Sequence, residues 1–421
     1  MAARVIQRQL NADRSDFNGL ALPCPGCGEA ARYAGRREKT FTTALGPMTL
    51  ERAYYDCAAC AHGFCPRDRA LGVEGSSLSP AVTRMVGQGA ARVSFVESSN
   101  LLGELAGVRV GAKQVERTAE ALGVEIAHDE RQIVEPAPPV APTMYLGMDG
   151  TGVPLRAAEL VGRTGKQPDG SAKTREVKLV TLWTAEKRDP QGLAVRDPGS
   201  ISYSAAIESA ATLDTDSELS PFAQRVEREA RRRGFPQAQR RVVLGDGAPW
   251  IWNLAEEIFP GAIQIVDLYH AKGRLWDAAK AIYGAGSDLA EQWAKQRRDE
   301  LDRGELSRLV KALRAHAPSN EQARQCLLYI VRNRRRMRYP SFRAQGLCVA
   351  TGVVEAGCKV VVGTRLKRAG MHWTVAGADA ILALRCSLLN GRFDDFWLRR
   401  SARQATQRNP QSSPARLISQ I

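Results

Sequence analysis

Three carboxylates in this sequence have the setting that phosphoryl chemistry demands. Asp149 sits in YLGMDGTGV (145–153), where the apolar run Met144, Tyr145, Leu146 leads to one acid with Gly150 and Gly152 close behind. VVLGDGAPW (242–250) repeats the design: Val242, Val243 and Leu244 run into Gly245-Asp246-Gly247. A short apolar run bounded by glycines reads as a buried strand, and glycine beside an acid lets a ligand or another backbone come close. Cleavage of a phosphodiester by two Mg2+ ions about 4 Å apart needs several carboxylates converging on them. The third acid comes late. Glu355, in TGVVEAGCKVVVGTRLKRAGMHW (351–373), follows Asp246 by 109 residues, and Asp246 follows Asp149 by 97. Thr351 is placed to cap a helix. Glu355 then falls in its first turns, where the helix dipole favours an acid, with Lys359 one turn on along the same face. A surface acid paired with Lys359 is the plainer reading of Glu355 alone.

A second constellation is built from thiols. Five of the nine cysteines fall between 24 and 65. Cys24 and Cys27 (CPGCG) and Cys57 and Cys60 (CAACAHGFC) form two C-x2-C pairs with 29 residues between them. Paired thiolates at that spacing close a tetrahedral Zn2+ site. Between them, TFTTALG, a turn at Gly46-Pro47 and MTLERAYYDC read as a meander, so residues 21–72 are expected to form a zinc ribbon. Disulfides are the alternative, and a chain with no secretory signal argues against them. His62 and Cys65 are left over as substitute ligands. Cys326, Cys348, Cys358 and Cys386 are scattered and read as small core residues.

The remaining elements must hold these groups. Residues 1–20 form an N-terminal arm. Over 79–123 the pattern is helix, a break at 107–111, then helix, the outline of a helix-turn-helix within a helical region 73–130. Phe95, Leu101, Leu102 and Leu105 would form its apolar face. Its second helix presents Lys113, Gln114 and Arg117 as DNA contacts; a plain helical spacer is the other reading. A Pro-rich stretch inside 131–142 marks a boundary. Beyond it we expect one strand ending at Asp149, a second over TGVPLR (151–156), a third over 176–186, and a basic helix near 218–234. Strand 241–246, helix 249–258, strand 262–270 and a helix to 283 follow. A charged, all-helical insertion fills about 285–345. Three early antiparallel strands followed by alternating helix and strand is the order of a ribonuclease-H-like core: an α/β domain, mixed sheet flanked by helices, over 143–398. The last residues, 399–421, read as a basic disordered tail.

Composition agrees with a polyanionic partner. The 421 residues carry 60 Lys+Arg against 45 Asp+Glu, a formal +15, which favours nucleic acid. Arginine dominates the clusters at 231–233, 240–241, 332–338 and 365–368, and its planar fork suits phosphate. Any one cluster reads equally as a solvated helix face; four together point to nucleic acid, and Arg365, Lys367 and Arg368 are candidate contacts with double-stranded DNA. No apolar run approaches the roughly 20 residues needed to span a bilayer, and the first residues lack a secretory core, so a cytoplasmic, nucleoid-associated location is expected.

The motifs CPGCG, ERAYYDC, YYDCAACAHGF, MDGTGVP, LGDGAPWIW, VDLYHAKGRLW and VVEAGCKVVVGTRLKRAGMHW together resemble a bacterial insertion-sequence transposase of the DDE type, in the IS-Kra group, more distantly Mutator-like. The resemblance spans about residues 21–398. It implies a ribonuclease-H-like nuclease with a helical insertion, acting as a homo-oligomer on the ends of an element and on target DNA. It assigns the metal-binding acids to Asp149, Asp246 and Glu355, holding two Mg2+ or Mn2+, with a structural Zn2+ in the ribbon. Asp267-Leu268-Tyr269-His270 resembles the D-x2-H that follows the second Asp in Mutator-like enzymes. His270 would there meet a scissile phosphate, unless it is a helix-start histidine satisfied locally. Trp250, Trp252 and Trp373 are candidates to stack a flipped base, or simply core. The resemblance also implies a longer helical leader than residues 1–20 supply. MDGT and GDGAPW resemble pieces of haloacid-dehalogenase phosphatases as well. There Gly147 occupies the nucleophile position and Pro249-Trp250 replace the final acid motif, and without that carboxylate no aspartyl-phosphate forms. Two further readings stay open: a transposase-derived DNA-binding protein without catalysis, and a metal-dependent nuclease without strand transfer.

Overall fold

The computed structural model describes residues 2–133, 140–165, 167, 170–211, 218–350 and 352–408. Two compact units emerge, Met1–Asp129 with Gly391–Ile421, and Glu130–Asn390. Most of the Pro-rich stretch, the Thr351 cap and the chain beyond 408 lie outside the described residues. Among the described residues, no helix is long and apolar enough to cross a membrane.

The first unit opens with helix α1 (Ala2–Ala12) and a four-stranded antiparallel sheet ordered β1 (Ala21–Pro23), β2 (Ala30–Thr43), β3 (Gly46–Cys57), β4 (His62–Phe64). The long β2–β3 hairpin turns at residues 44–45, one step before the expected Gly46-Pro47, because Gly46 already pairs with Thr43. Strand β4 covers only the end of β3, at Tyr55–Cys57. Helix α1 serves Thr49 and Glu51 on that edge: Gln7 accepts from the Thr49 N–H, and Asn11 accepts from the Glu51 N–H and donates to the Thr49 carbonyl. Side-chain amides thus satisfy an edge that would otherwise offer itself to another strand. The expected arm is therefore a docked helix.

After α2 (Pro66–Leu71) come α3 (Pro80–Ala90), α4 (Phe95–Ala106) and α5 (Ala112–Gln132). The helix expected before the 107–111 break is two helices. Ser94 starts α4 with a capping box, its Oγ accepting from Glu97 N while Glu97 accepts from Ser94 N. The expected apolar face of α4 is not buried as a whole. Leu102 is inside, but Leu101 is 43% and Leu105 81% exposed.

The second unit is built on a five-stranded sheet. Its strands, in chain order, are β5 (Thr143–Pro154) and β6 (Thr174–Trp183), a small side hairpin of β7 (Lys187–Arg188) and β8 (Ala194–Val195), then β9 (Ser202–Ala206). Helix α6 (Pro221–Arg232), β10 (Arg240–Gly245), α7 (Pro249–Ile258), β11 (Ile263–Val266) and α8 (Leu268–Tyr283) follow. The order across the sheet is β11-β10-β5-β6-β9. Strand β6 runs antiparallel to both β5 and β9, while β10 and β11 run parallel to β5. Its core is Leu146, Met148, Val180, Leu182, Val243 and Leu244, covered by Phe222, Ile251 and Leu275 from the helices.

Two strand expectations are corrected. The first strand does not stop at Asp149, and no strand turns back over 151–156: β5 pairs with β6 from Tyr145–Trp183 to Pro154–Thr174. The glycines after Asp149 serve that pairing, since a Cβ on Gly150 would lie 2.3 Å from the Glu176 carboxylate on β6. The third antiparallel strand is β9, between the strand expected over 176–186 and the helix expected near 218–234.

Beyond α8, the helices α9 (Asp288–Asp302), α10 (Leu306–His316), α11 (Glu321–Asn333) and α12 (Tyr339–Ala344) make up a helical block. The chain then returns to the sheet as α13 (Val353–Gly357), a π-helical turn Cys358–Gly363, α14 (Thr364–Leu366) and α15 (Val375–Leu389). Arg385 of α15 donates through Nε to the Val360 carbonyl at 3.0 Å, serving an oxygen that the π-turn displaces. Helix α16 (Phe393–Arg408) belongs to the first unit: Arg399 pairs with Asp129 at 2.8 Å and Arg400 with Glu125 at 2.9 Å on α5. Residues 399–408 are thus helix, where a disordered tail was expected.

Candidate active site and metal centre

The sheet brings the first two acids together. Strands β5 and β10 are neighbours, with Gly147 and Leu244 in register. Asp149 is two residues past that pair on β5, and Asp246 is two residues past it in the turn after β10. Tyr329 of α11 donates its hydroxyl to the Asp246 carbonyl at 2.7 Å, so the helical block steadies the turn after β10. Asp246 itself accepts from the Ala248 N–H at 2.8 Å, closing that turn.

Helix α13 lies over the same face. Gly147 lets it approach: a Cβ there would stand 2.2 Å from Val354 Cγ2. Side chains two apart on a strand share a face, so Asp149 also points at this helix. Cys358 Sγ donates to Asp149 Oδ2 at 3.3 Å. The result is one cleft lined by Asp149, Asp246, Glu355 and His270, with Asp267, Tyr269, Gly352 and Val354 completing its walls. Its free space is about 20 Å3, roughly one water molecule. Any polymer acted on here must lie across the mouth.

The electrostatics differ from acid to acid. Burial pushes the Asp149 carboxyl above its ordinary range, and the charge of Asp246 adds to this, against the Gly150 N–H, the Cys358 thiol and His270. Glu355 is 57% exposed and pairs with Lys359 at 2.7 Å. That hydrogen bond, then the ammonium charge, holds its carboxyl below the usual range. The carboxylates share a cleft without converging on a point. Among the described residues, only the four cysteines gather three or more ligand atoms within 4.8 Å of one another.

The sequence marks Asp267 only as part of the D-x2-H stretch. It is buried and caps α8, its Oδ1 accepting from Tyr269 N at 2.8 Å and His270 N at 3.3 Å. The cap orients the turn that carries His270. An acid directly before a helical run is the available signal. Cys358 and Tyr329 left no comparable trace, because their roles depend on contacts 209 and 83 residues away.

The four thiols form a compact cluster in the first unit. Cys24 and Cys60 are 3.6 Å apart, as are Cys27 and Cys57. A tetrahedral Zn2+ with bonds of about 2.3 Å has sulfur–sulfur edges of about 3.8 Å, so the cluster fits the ion. The Gly26 N–H donates to Cys24 Sγ at 3.4 Å, and each C-x2-C pair sits in a turn between antiparallel strands. Such a cluster can hold a structural zinc and fits a zinc ribbon. His62 stacks on Phe64 and stays outside the cluster with Cys65.

The candidate DNA contacts divide. On α5, Lys113 and Arg117 are exposed, Lys113 pairing with Glu116 at 2.8 Å. Gln114 is half-buried and donates to Ser77 Oγ at 2.9 Å. In the second unit, Lys367 and Arg368 are exposed, and Lys367 donates to Thr151 Oγ1. Arg365 is corrected: it is fully buried, its guanidinium 5.1 Å from the Trp373 ring, and reaches no external phosphate. Trp252 and Trp373 are buried as well, leaving only Trp250 half-exposed.

No protein-family model matches the chain, and no curated protein matches it. Among solved structures, the Drosophila P element transposase strand transfer complex is similar at a TM-score of 0.27 and 9% identity, over 74% of this chain and 80% of that one. A likeness that low fixes neither fold nor activity.

Proposed function

We propose that this chain is a DNA transposase of the DDE type that cuts the ends of an insertion sequence and joins the 3′ ends to target DNA. The observation that carries the reading is the single cleft shared by Asp149, Asp246, Glu355 and His270, groups drawn from four separate elements. The sheet supports it. Three antiparallel strands followed by two parallel ones, ordered third-second-first-fourth-fifth, is the arrangement of a ribonuclease-H-like core, with the first acid on the central strand.

Asp149, Asp246 and Glu355 would hold Mg2+. An all-oxygen donor set suits that hard cation, and a cation beside Asp149 would offset the two effects that raise its carboxyl. When bound, the ions supply Lewis-acid activation of the attacking oxygen and offset the charge developing at phosphorus. The remaining steps belong to the chain. The carboxylates fix where the scissile phosphate sits. His270, which lines the same cleft, would donate to a phosphate oxygen. In cleavage, water adds to phosphorus and the bond to the 3′ oxygen breaks, leaving a 3′-hydroxyl. In joining, that hydroxyl attacks a target phosphodiester and displaces the target's own 3′ oxygen. One P–O bond forms for each that breaks, so no covalent protein intermediate and no energy source is required.

In this reading the first unit recognises element ends. The zinc ribbon and α5, with Lys113 and Arg117 outward, supply a surface for a groove, where bases are read. The catalytic cleft must accept many targets and so contacts phosphates. The test is incubation of purified protein with candidate ends and Mg2+, scoring cleavage and joining separately. Cleavage without joining would favour a nuclease; selective binding without either would favour a DNA-binding derivative.

A further inference from the structure

We infer that α11 and the turn after it form a phosphodiester-binding trough that leads a DNA strand away from the carboxylate cleft. The inference rests on the nucleic-acid substrate proposed above, and it concerns arginines outside the carboxylate cleft.

Two hollows join end to end. The first, about 510 Å3, begins at Asp246, passes Tyr329 and reaches Arg274, Arg332 and Arg336. The second, about 820 Å3, starts from the same Arg332 and Arg336 and adds Arg334, Arg335 and Arg338. Six arginines therefore line one continuous depression that opens at a candidate catalytic acid.

Their state of pairing separates them from Arg231, Arg232 and Arg324. Arg231 and Arg232 pair with Glu227 and Glu229 at 2.6 and 3.0 Å, and Arg324 pairs with Glu321 at 2.7 Å. Those are neutralised helix faces. Arg274, Arg332, Arg334, Arg335, Arg336 and Arg338 make no ion pair among the described residues. Only Asp246 at one end and Glu256 at the other bring negative charge to the lining, and Glu256 accepts from the Gln264 amide.

Several of these forks are nevertheless held in place by neutral contacts. Arg336 lies 4.7 Å from the Trp252 ring centre and donates through Nε to Gln264 Oε1 at 2.6 Å. Arg274 lies 5.4 Å from the centre of the Tyr329 ring. Arg338 donates through Nε to the Arg335 carbonyl at 3.3 Å. Positioned but unneutralised guanidinium groups suit phosphate, which they bind in a planar, bidentate manner. A DNA strand offers one such charge about every 3.4 Å. An acidic protein segment would also match the sign, but the continuity with Asp246 favours the polymer on which that acid acts. Contacts of this kind carry no sequence information.

The test uses the full chain and a salt titration of DNA affinity. The variant R332A/R334A/R335A is compared with R332K/R334K/R335K, on element-end and random duplexes. The alanine variant should lose affinity for both DNAs alike, with the slope of log affinity against log salt shallower by about 2–3, at about 0.9 per phosphate contact. The lysine variant should keep most of that slope, which separates lost charge from lost folding. An unchanged slope and affinity in the alanine variant would overturn the inference. So would an equal loss in the lysine variant, a loss confined to element-end DNA, or a loss of poly-glutamate binding with DNA binding intact. Asp149→Asn, assayed alongside for cleavage, keeps the two proposals apart. Retained cleavage there, with a shallower slope in the alanine variant, sinks the carboxylate reading alone. Lost cleavage, with no change of slope, sinks the trough alone.

Discussion

Asp149 and Asp246 each stand two residues beyond one register pair, Gly147 on β5 and Leu244 on β10. Parallel neighbouring strands thus deliver two acids, 97 residues apart in sequence, to one level of the sheet. One of the two is buried enough to resist ionisation.

That resistance has a consequence for stability. A carboxyl whose folded pKa lies above its unfolded value binds more protons folded than unfolded in the window between the two. Stability therefore falls as pH rises through that window, and the cost persists at neutrality. Asp149→Asn should melt at a higher temperature than wild type at pH 7 in chelator. The two should converge below the ordinary carboxylate range, where Asp149 is neutral in both states. Added Mg2+ should raise the melting temperature of wild type and not of the variant, as expected for a ligand bound only by the folded state. Calorimetry at several pH values checks each point. A less stable Asn variant in chelator at pH 7 would contradict the burial argument.

Gly147 sets the distance between β5 and the helix that carries Glu355. Gly147→Ala should push Val354, and α13 with it, off the sheet. A destabilisation of about 1–3 kcal/mol is expected for such overpacking, with cleavage lost more completely than folding. Val354→Ala in the same chain should restore much of both, and a double-mutant cycle reads the coupling. Additive effects would mean that the two residues do not meet.

Purified protein should contain one Zn2+ per chain, held by Cys24, Cys27, Cys57 and Cys60. Cys60→Ser should lower the zinc content, and chelation should unfold the small β1–β4 core, since metal binding and folding are linked. Metal analysis and circular dichroism check this. A full complement of zinc in a variant lacking both Cys57 and Cys60 would move the site elsewhere.

If the proposed function holds, α5 reads the element ends. Lys113→Ala with Arg117→Ala should reduce the preference for end DNA over random DNA while leaving cleavage of a pre-bound, high-concentration substrate within a few-fold, about 1 kcal/mol or less. The full chain is the proper material, because α16 closes onto α5 through Arg399 and Arg400, and a fragment ending near residue 140 would lack it. An unchanged preference, read by competition binding, would move recognition off this helix.

What was legible in the sequence follows from local chemistry. The C-x2-C pairs announce a cluster because both thiols of a pair must sit in one turn. Asp149 and Asp246 stood out because apolar strands run into them. Glu355 does fall in the first turn of a helix 109 residues on, but the cap there is Gly352, which makes no side-chain bond. The extension of β5 was hidden because Gly150 and Gly152 look like a turn until the side chains of β6 are seen beside them. Strand β9, SYSAA, is too short and too polar to declare itself. Arg365 differs from its basic neighbours in a way the sequence does not show: Lys367 and Arg368 face outward, while the first turn of α14 points Arg365 at Trp373. The allegiance of α16 was not legible either, since Phe393 and Phe396 show that a core is covered and not which one.

The most direct measurement is cleavage of candidate element ends by wild type, Asp149→Asn, Asp246→Asn and Glu355→Gln in Mg2+, with DNA affinity measured on the same preparations. Wild type should cut and join. Each variant should retain no more than about 1% of cleavage, as expected when a metal-binding acid is lost, with DNA affinity unchanged or tighter. Cleavage at more than a few per cent of wild type in either Asp variant, with the protein folded and bound to DNA, would contradict the assignment of this cleft as the catalytic site.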